Sequence, residues 1–99
     1  MNKKIPPHLT IGRKYFYFSQ DIMYFEGSIN YTFVYLQTGR KDIMAQTIGR
    51  VATKTDEGFV RISRKHLVNR QYIRVIHRDY VELLDKSILP IARRRRGNI

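Results

Sequence analysis

The residues with most capacity for chemistry are cations, and they crowd into one half of the chain. Residues 1–49 carry six Lys or Arg against three Asp or Glu, giving +3, whereas residues 50–99 carry thirteen against five, giving +8. Arg61, Arg64, Lys65, Arg70, Arg74 and Arg78 recur every few residues, and Arg93-Arg94-Arg95-Arg96 nearly closes the sequence. Such a distribution suits a polyanion, because neutralised phosphates release condensed counterions and that term dominates nucleic-acid affinity at ordinary salt. Among these cations sits Asn69. Its carboxamide offers a donor and an acceptor that match adenine N6 and N7 in a major groove, yet Asn is equally a turn residue, and spacing alone favours turn chemistry over base contact. Arg64, Lys65 and Arg70 flank it and suit phosphate better than base edges, because phosphate contacts set register without carrying sequence.

Other chemistries find little support. The chain has no Cys, which removes thiolate nucleophiles, thiolate zinc sites and disulfide frameworks. His8, His66 and His77 are dispersed, no Gly-rich phosphate loop occurs, and of the eight carboxylates only Asp56 and Glu57 are adjacent. Neither an enzyme, a cofactor nor a metal site is expected. Met1-Asn2-Lys3-Lys4 is followed by Pro6-Pro7 where a signal peptide needs an apolar run, and the uncharged stretch from Gly27 to Gly39 is too short and polar to span a bilayer. The expectation is a cytoplasmic protein with no membrane partner.

The elements that must carry these cations have a period of two. Tyr15-Phe16-Tyr17-Phe18 and Ile22-Met23-Tyr24-Phe25 predict two early strands. Tyr31 to Leu36 alternates and stops at Thr38-Gly39-Arg40-Lys41, predicting a hairpin into Asp42-Ile43-Met44-Ala45. Ile48, Val51 and Ala52 share a helical face, so one short helix is expected between Gln46 and Lys54. Three more strands are predicted at Phe59 to Ile62, Tyr72 to Ile76 and Tyr80 to Leu84, followed by an apolar segment from Ile88 to Ile91. The polar segment from Ser63 to Arg70 predicts only a helical turn and loop. Residues 1–7 are expected to form a loose arm ahead of a single domain over residues 8–99, since 99 residues support one core. The aromatic residues, interleaved with basic ones, also suit base stacking, but Tyr15, Phe16, Tyr17, Phe18, Tyr24 and Phe25 fall in strands and are expected mainly in the core.

Phe59-Val60-Arg61-Ile62, Leu67-Val68-Asn69, Tyr72-Ile73 and Leu89-Pro90-Ile91-Ala92-Arg93-Arg94, with Asp21 to Glu26 and Asn30-Tyr31-Thr32 upstream, resemble the LytTR DNA-binding domain family in order and spacing. The resemblance covers about residues 8–97. It implies a mostly β fold of small stacked antiparallel sheets with one short helix and helical turns, and a transcriptional regulator that inserts loops into successive major grooves of direct-repeat sites. It assigns base reading to Asn69, Arg94 and Thr32; the surrounding cations Arg64, Lys65, Arg70, Arg93 and Arg95 are expected on phosphates. The chain departs from the family pattern at Ser63, Lys65 and Ala92; the last replaces a Ser that would cap the final helical turn. The family usually follows a phosphorylatable receiver, for which these 99 residues leave no room. Duplex DNA is therefore the expected partner, with a second copy on an adjacent repeat and a separate signalling partner as further candidates. A small basic RNA-binding protein of ribosomal type is the alternative.

Overall fold

A computed structural model describes residues 5–99, and the fold it gives is mostly β. Among the described residues ten strands follow in order: β1 (His8–Ile11), β2 (Tyr15–Phe18), β3 (Ile22–Ser28), β4 (Tyr31–Leu36), β5 (Lys41–Met44), β6 (Phe59–Arg61), β7 (His66–Asn69), β8 (Ile73–Ile76), β9 (Tyr80–Leu83) and β10 (Ile88–Pro90). One helix, α1 (Ile48–Ala52), lies between β5 and β6, and 3-10 turns occupy Ser19–Asp21, Arg70–Tyr72 and Arg93–Asn98. All pairings are antiparallel. They form a ribbon β1-β2, a central sheet in the order β5-β4-β3-β7-β6 and a three-stranded sheet β10-β9-β8.

The central sheet is covered on both faces. Leu9, Ile11 and Tyr17 from the ribbon and Ile48 and Val51 from α1 pack with Ile22, Phe25, Val34, Leu36, Met44, Phe59 and Leu67 of the sheet. Val81, Leu83 and Leu89 of the three-stranded sheet, with Ile91 beyond it, pack with Met23, Tyr24, Val60, Ile62 and Val68. β3 serves both cores, so its sequence cannot alternate apolar with polar. An irregularity in its pairing with β4 between Ile22 and Tyr24 lets the successive residues Met23 and Tyr24 enter the same core.

The predicted strands and the hairpin turn are present, Gly39 taking a left-handed φ of 91° in that turn. Thr47 caps α1 by accepting from the Arg50 N–H at 3.2 Å. The segment from Ser63 to Arg70 differs from expectation: His66–Asn69 is a strand, β7, and every residue of it is buried. Its polar ends mislead because they are buried with partners, His66 Nε2 lying 3.0 Å from Glu26 Oε2. Of the expected arm, residues 1–4 lie outside the described residues; residues 5–7 are exposed, and the Pro7 carbonyl accepts from the Ser19 N–H at 2.9 Å.

Two hydroxyls couple the packing to pH. Burial, followed by the 2.7 Å hydrogen bond it donates to Asp42 on β5, raises the pKa of Tyr17 far above the usual tyrosine value. Burial also pushes Tyr24 up to about 12. Both groups hold their proton more tightly folded than unfolded, so their contribution is complete below the unfolded value of 10.0 and declines above it, that of Tyr24 being lost as pH rises through about 12 and that of Tyr17 only at still higher pH. Urea unfolding between pH 9 and pH 12 should show a steeper loss of stability for the native chain than for Tyr17→Phe/Tyr24→Phe. Packing gives a second expectation. A Cβ at Gly27 would sit 2.7 Å from Ile48 Cγ2 and 2.9 Å from Ile48 Cβ, so Gly27→Ala should cost about 1–3 kcal/mol by overpacking. The same change in an Ile48→Ala background should cost clearly less, a coupling that a double-mutant cycle measures.

Candidate nucleic-acid interface

The β6–β7 connection is a tight loop built to present two cations. Ser63 Oγ accepts from the backbone N–H groups of Lys65 at 3.2 Å and His66 at 3.0 Å. Arg61 holds the other side, Nε donating to the Ser63 carbonyl at 2.8 Å and its guanidinium to the Arg64 carbonyl at 2.6 Å. With donors and carbonyls satisfied inside the loop, Arg64 and Lys65 extend into solvent, and among the described residues neither side chain has a hydrogen-bond or ion-pair partner. Partial burial, then the nearby Arg95 charge, lowers the pKa of Arg61 below the ordinary guanidinium value. Arg61 is a structural cation that braces an exposed one.

Two neighbouring segments complete the face. The Ala92 N–H donates to the Ile62 carbonyl at 2.7 Å, which sets the start of the Arg93–Asn98 turn beside the loop. As the missing Ser predicts, Ala92 gives this turn no side-chain cap. On the other flank the Gly27 N–H donates to the Lys65 carbonyl at 2.7 Å and ties the β3–β4 hairpin to the loop. One open concavity is lined by Arg64, Ala92, Arg93, Arg94, Arg95 and Asn98. A second runs past Ser28, Ile29 and Thr47 to Arg61, Arg64 and Lys65. Arg64 belongs to both, and neither lining contains a carboxylate. The result is a continuous cationic face.

Two of the expected base readers are not on it. Asn69 is 3% exposed; its amide donates to the carbonyls of Ser19 at 3.0 Å and Ile22 at 2.8 Å, while its carbonyl oxygen accepts from the Gln71 N–H at 3.0 Å. Both amide donors are engaged and the oxygen accepts from Gln71, so Asn69 caps the Arg70–Tyr72 turn and fastens it to the Ser19–Asp21 turn, with no donor left over for a base edge in this conformation. Thr32 is 0% exposed beneath α1 and donates to the Gln46 carbonyl at 2.7 Å. Arg70 spends its guanidinium on the carbonyls of Glu57 and Asn98, holding the C-terminal turn rather than a ligand. Arg74 pairs with Glu82, and Arg96 with Asp79 at 3.0 Å. Arg64, Lys65, Arg93, Arg94 and Arg95 remain together. Sequence reasoning missed Ile29, Thr47 and the bracing role of Arg61; Arg61 precedes the loop on a strand, but no local pattern shows which carbonyls a guanidinium reaches.

Asn69→Ala removes the partner of two carbonyls and one N–H at a buried site, so it should destabilise the fold by about 2–4 kcal/mol. Thr32→Val should cost about 1 kcal/mol. Thermal or urea unfolding checks both. A specificity change in Asn69→Ala without loss of stability would restore it as a reading residue.

Comparison with known proteins bears on this face. The family model of the LytTr DNA-binding domain matches residues 12–99. Among solved structures, a LytTr DNA-binding domain from Bacillus cereus superposes with a TM-score of 0.73 at 16% identity, covering 96% of this chain and 93% of that one. A search of curated proteins returns no match to the chain. The family model spans nearly the whole chain, the solved domain has a similar fold, and the chain belongs to the LytTR family of DNA-binding domains.

Proposed function

We propose that the chain binds duplex DNA sequence-specifically as a transcriptional regulator, with the β6–β7 loop and the Arg93–Asn98 turn entering successive major grooves. The observation that carries this reading is the cationic face free of carboxylates, centred on Arg64. Arg64 replaces Asn69 as the reader from the loop: its guanidinium is exposed and unpartnered among the described residues, its backbone is braced on both sides, and it can meet guanine O6 and N7 together. Arg94 is the second reader. Lys65, Arg93 and Arg95 hold phosphates and fix register. Family membership favours direct-repeat sites, where two copies bind one duplex in the same orientation without a two-fold interface.

The alternative RNA reading loses its stacking platform in this fold. Tyr17, Tyr24 and Phe25 are buried in the two cores, leaving Phe16 on the ribbon and Tyr31 on the hairpin as the aromatic rings at least half exposed among the described residues. DNA is where such a regulator works, and no helix of the described residues is long and apolar enough to cross a membrane.

With three to five phosphates neutralised, log K against log salt should slope by about −3 to −5, and a slope shallower than about −2 would overturn the electrostatic account. Arg64→Ala and Arg94→Ala should each cost about 1–3 kcal/mol on a selected site and relax base preference there. Lys65→Ala and Arg93→Ala should weaken all duplexes about equally, each lowering the slope by about one unit. Footprinting on a selected site should protect two repeats in the same orientation; protection with strict two-fold symmetry contradicts the arrangement.

A further inference from the structure

The tip of the β3–β4 hairpin carries an isoleucine in a place where that residue is hard to explain by folding. Ser28 pairs with Tyr31, so Ile29 and Asn30 form the two-residue turn. Ile29 takes a φ of 48°, in the left-handed region that suits Gly, Asn or Asp and penalises a β-branched side chain. Nothing in the core rewards that strain, because Ile29 is 91% exposed, the most exposed large apolar residue among those described. Its surroundings are cationic: it shares one concavity with Arg61, Arg64 and Lys65. The tip is also rigidly placed. The Gly27 N–H bonds to the Lys65 carbonyl at 2.7 Å, and Gly27 packs so closely on Ile48 that even a Cβ would collide.

We infer that Ile29 enters the major groove beside Arg64 and packs against the C5 methyl group of a thymine, making it a specificity-determining residue. The inference rests on the DNA reading proposed above. A two-stranded β-ribbon fits a major groove, and within that groove the thymine methyl is the one apolar feature of a base edge. Arg64 and Lys65 on the adjoining loop draw the hairpin against phosphates and bases, so the apolar tip is desolvated without requiring an apolar partner of its own. A second copy of this chain is a poor occupant, since the concavity would bring like charges together on a chain of net charge +11. At 91% exposure the side chain is open to such a contact, which accounts for a residue type that turn chemistry disfavours.

The test takes the duplex that the full chain selects from a random pool and replaces each thymine singly with deoxyuridine, which removes the methyl group and leaves base pairing unchanged. One position, or two adjacent ones, should lose about three- to fivefold in affinity, the effect of one buried methyl group. Ile29→Gly and Ile29→Asn should keep or raise the stability of the fold, bind thymine and deoxyuridine duplexes equally at that position, and retain the salt slope. Equal binding of all deoxyuridine duplexes by the native chain, or undiminished sensitivity in Ile29→Gly, overturns the inference while leaving DNA recognition intact. Loss of binding to anionic vesicles in Ile29→Gly, with DNA discrimination unchanged, would assign the tip to a lipid surface and also overturn it. Failure of the native chain to select any duplex would remove the DNA reading itself, a distinct outcome.

Discussion

β3 has to feed two hydrophobic cores at once, and most of the architecture follows from that demand. A five-stranded sheet with both faces covered needs a ribbon and a helix on one side and a second sheet on the other, all within 99 residues. Ile22 and Phe25 go to one core, Met23 and Tyr24 to the other, and the local irregularity in pairing makes that split possible. Because β3 pairs with both β4 and β7, its position also fixes the hairpin and the β6–β7 loop relative to each other. The cationic face is thus a consequence of how the middle of the sheet is packed.

Buried polar groups supply the precision that apolar packing lacks. Asn69 joins the turn after β7 to the turn before β3, Thr32 joins β4 to the segment leading into α1, and the His66–Glu26 contact links β7 to β3. Such groups are costly unless satisfied, and none of the buried side-chain nitrogen or oxygen atoms among the described residues lacks a partner. They fix registers and turn positions, so that the neighbouring loop can afford to be exposed and charged. The arginines divide in a similar way: Arg61, Arg70, Arg74 and Arg96 contact carbonyls or carboxylates of the protein, whereas Arg64 and Arg93 to Arg95, which line one concavity, make no such side-chain contact among the described residues.

In the proposed mode of binding, the face combines two kinds of recognition on one rigid frame. Cations on the loop and on the C-terminal turn would supply long-range attraction, which does not distinguish sequences. A guanidinium and an apolar tip held next to each other would supply short-range discrimination, because their chemical preferences differ. Holding both on backbone that is hydrogen-bonded together, through Gly27 and Lys65 on one flank and Ala92 and Ile62 on the other, limits the entropy lost on binding.

The sequence by itself determined the mostly β class, the hairpin turn at Thr38 to Lys41, the short helix and the concentration of charge, because each depends on periodicity or composition along the chain. Family membership was legible too, since the short blocks from Asp21 to Arg94 keep their order. What tertiary structure decided was the fate of polar residues whose local context is ambiguous. Asn69 and Arg64 stand five positions apart in one polar segment, and nothing in that segment reveals that the first is enclosed between two turns while the second is free. β7 was hidden for the same reason: a strand buried on both faces betrays itself through partners on β3 and β6, not through its own pattern. Ile29 carries no local signal in the sequence; its backbone angle, its exposure and the cations beside it are set by the sheet. Burial and hydrogen bonding between residues far apart in the chain are properties of the fold, so they could be decided only there.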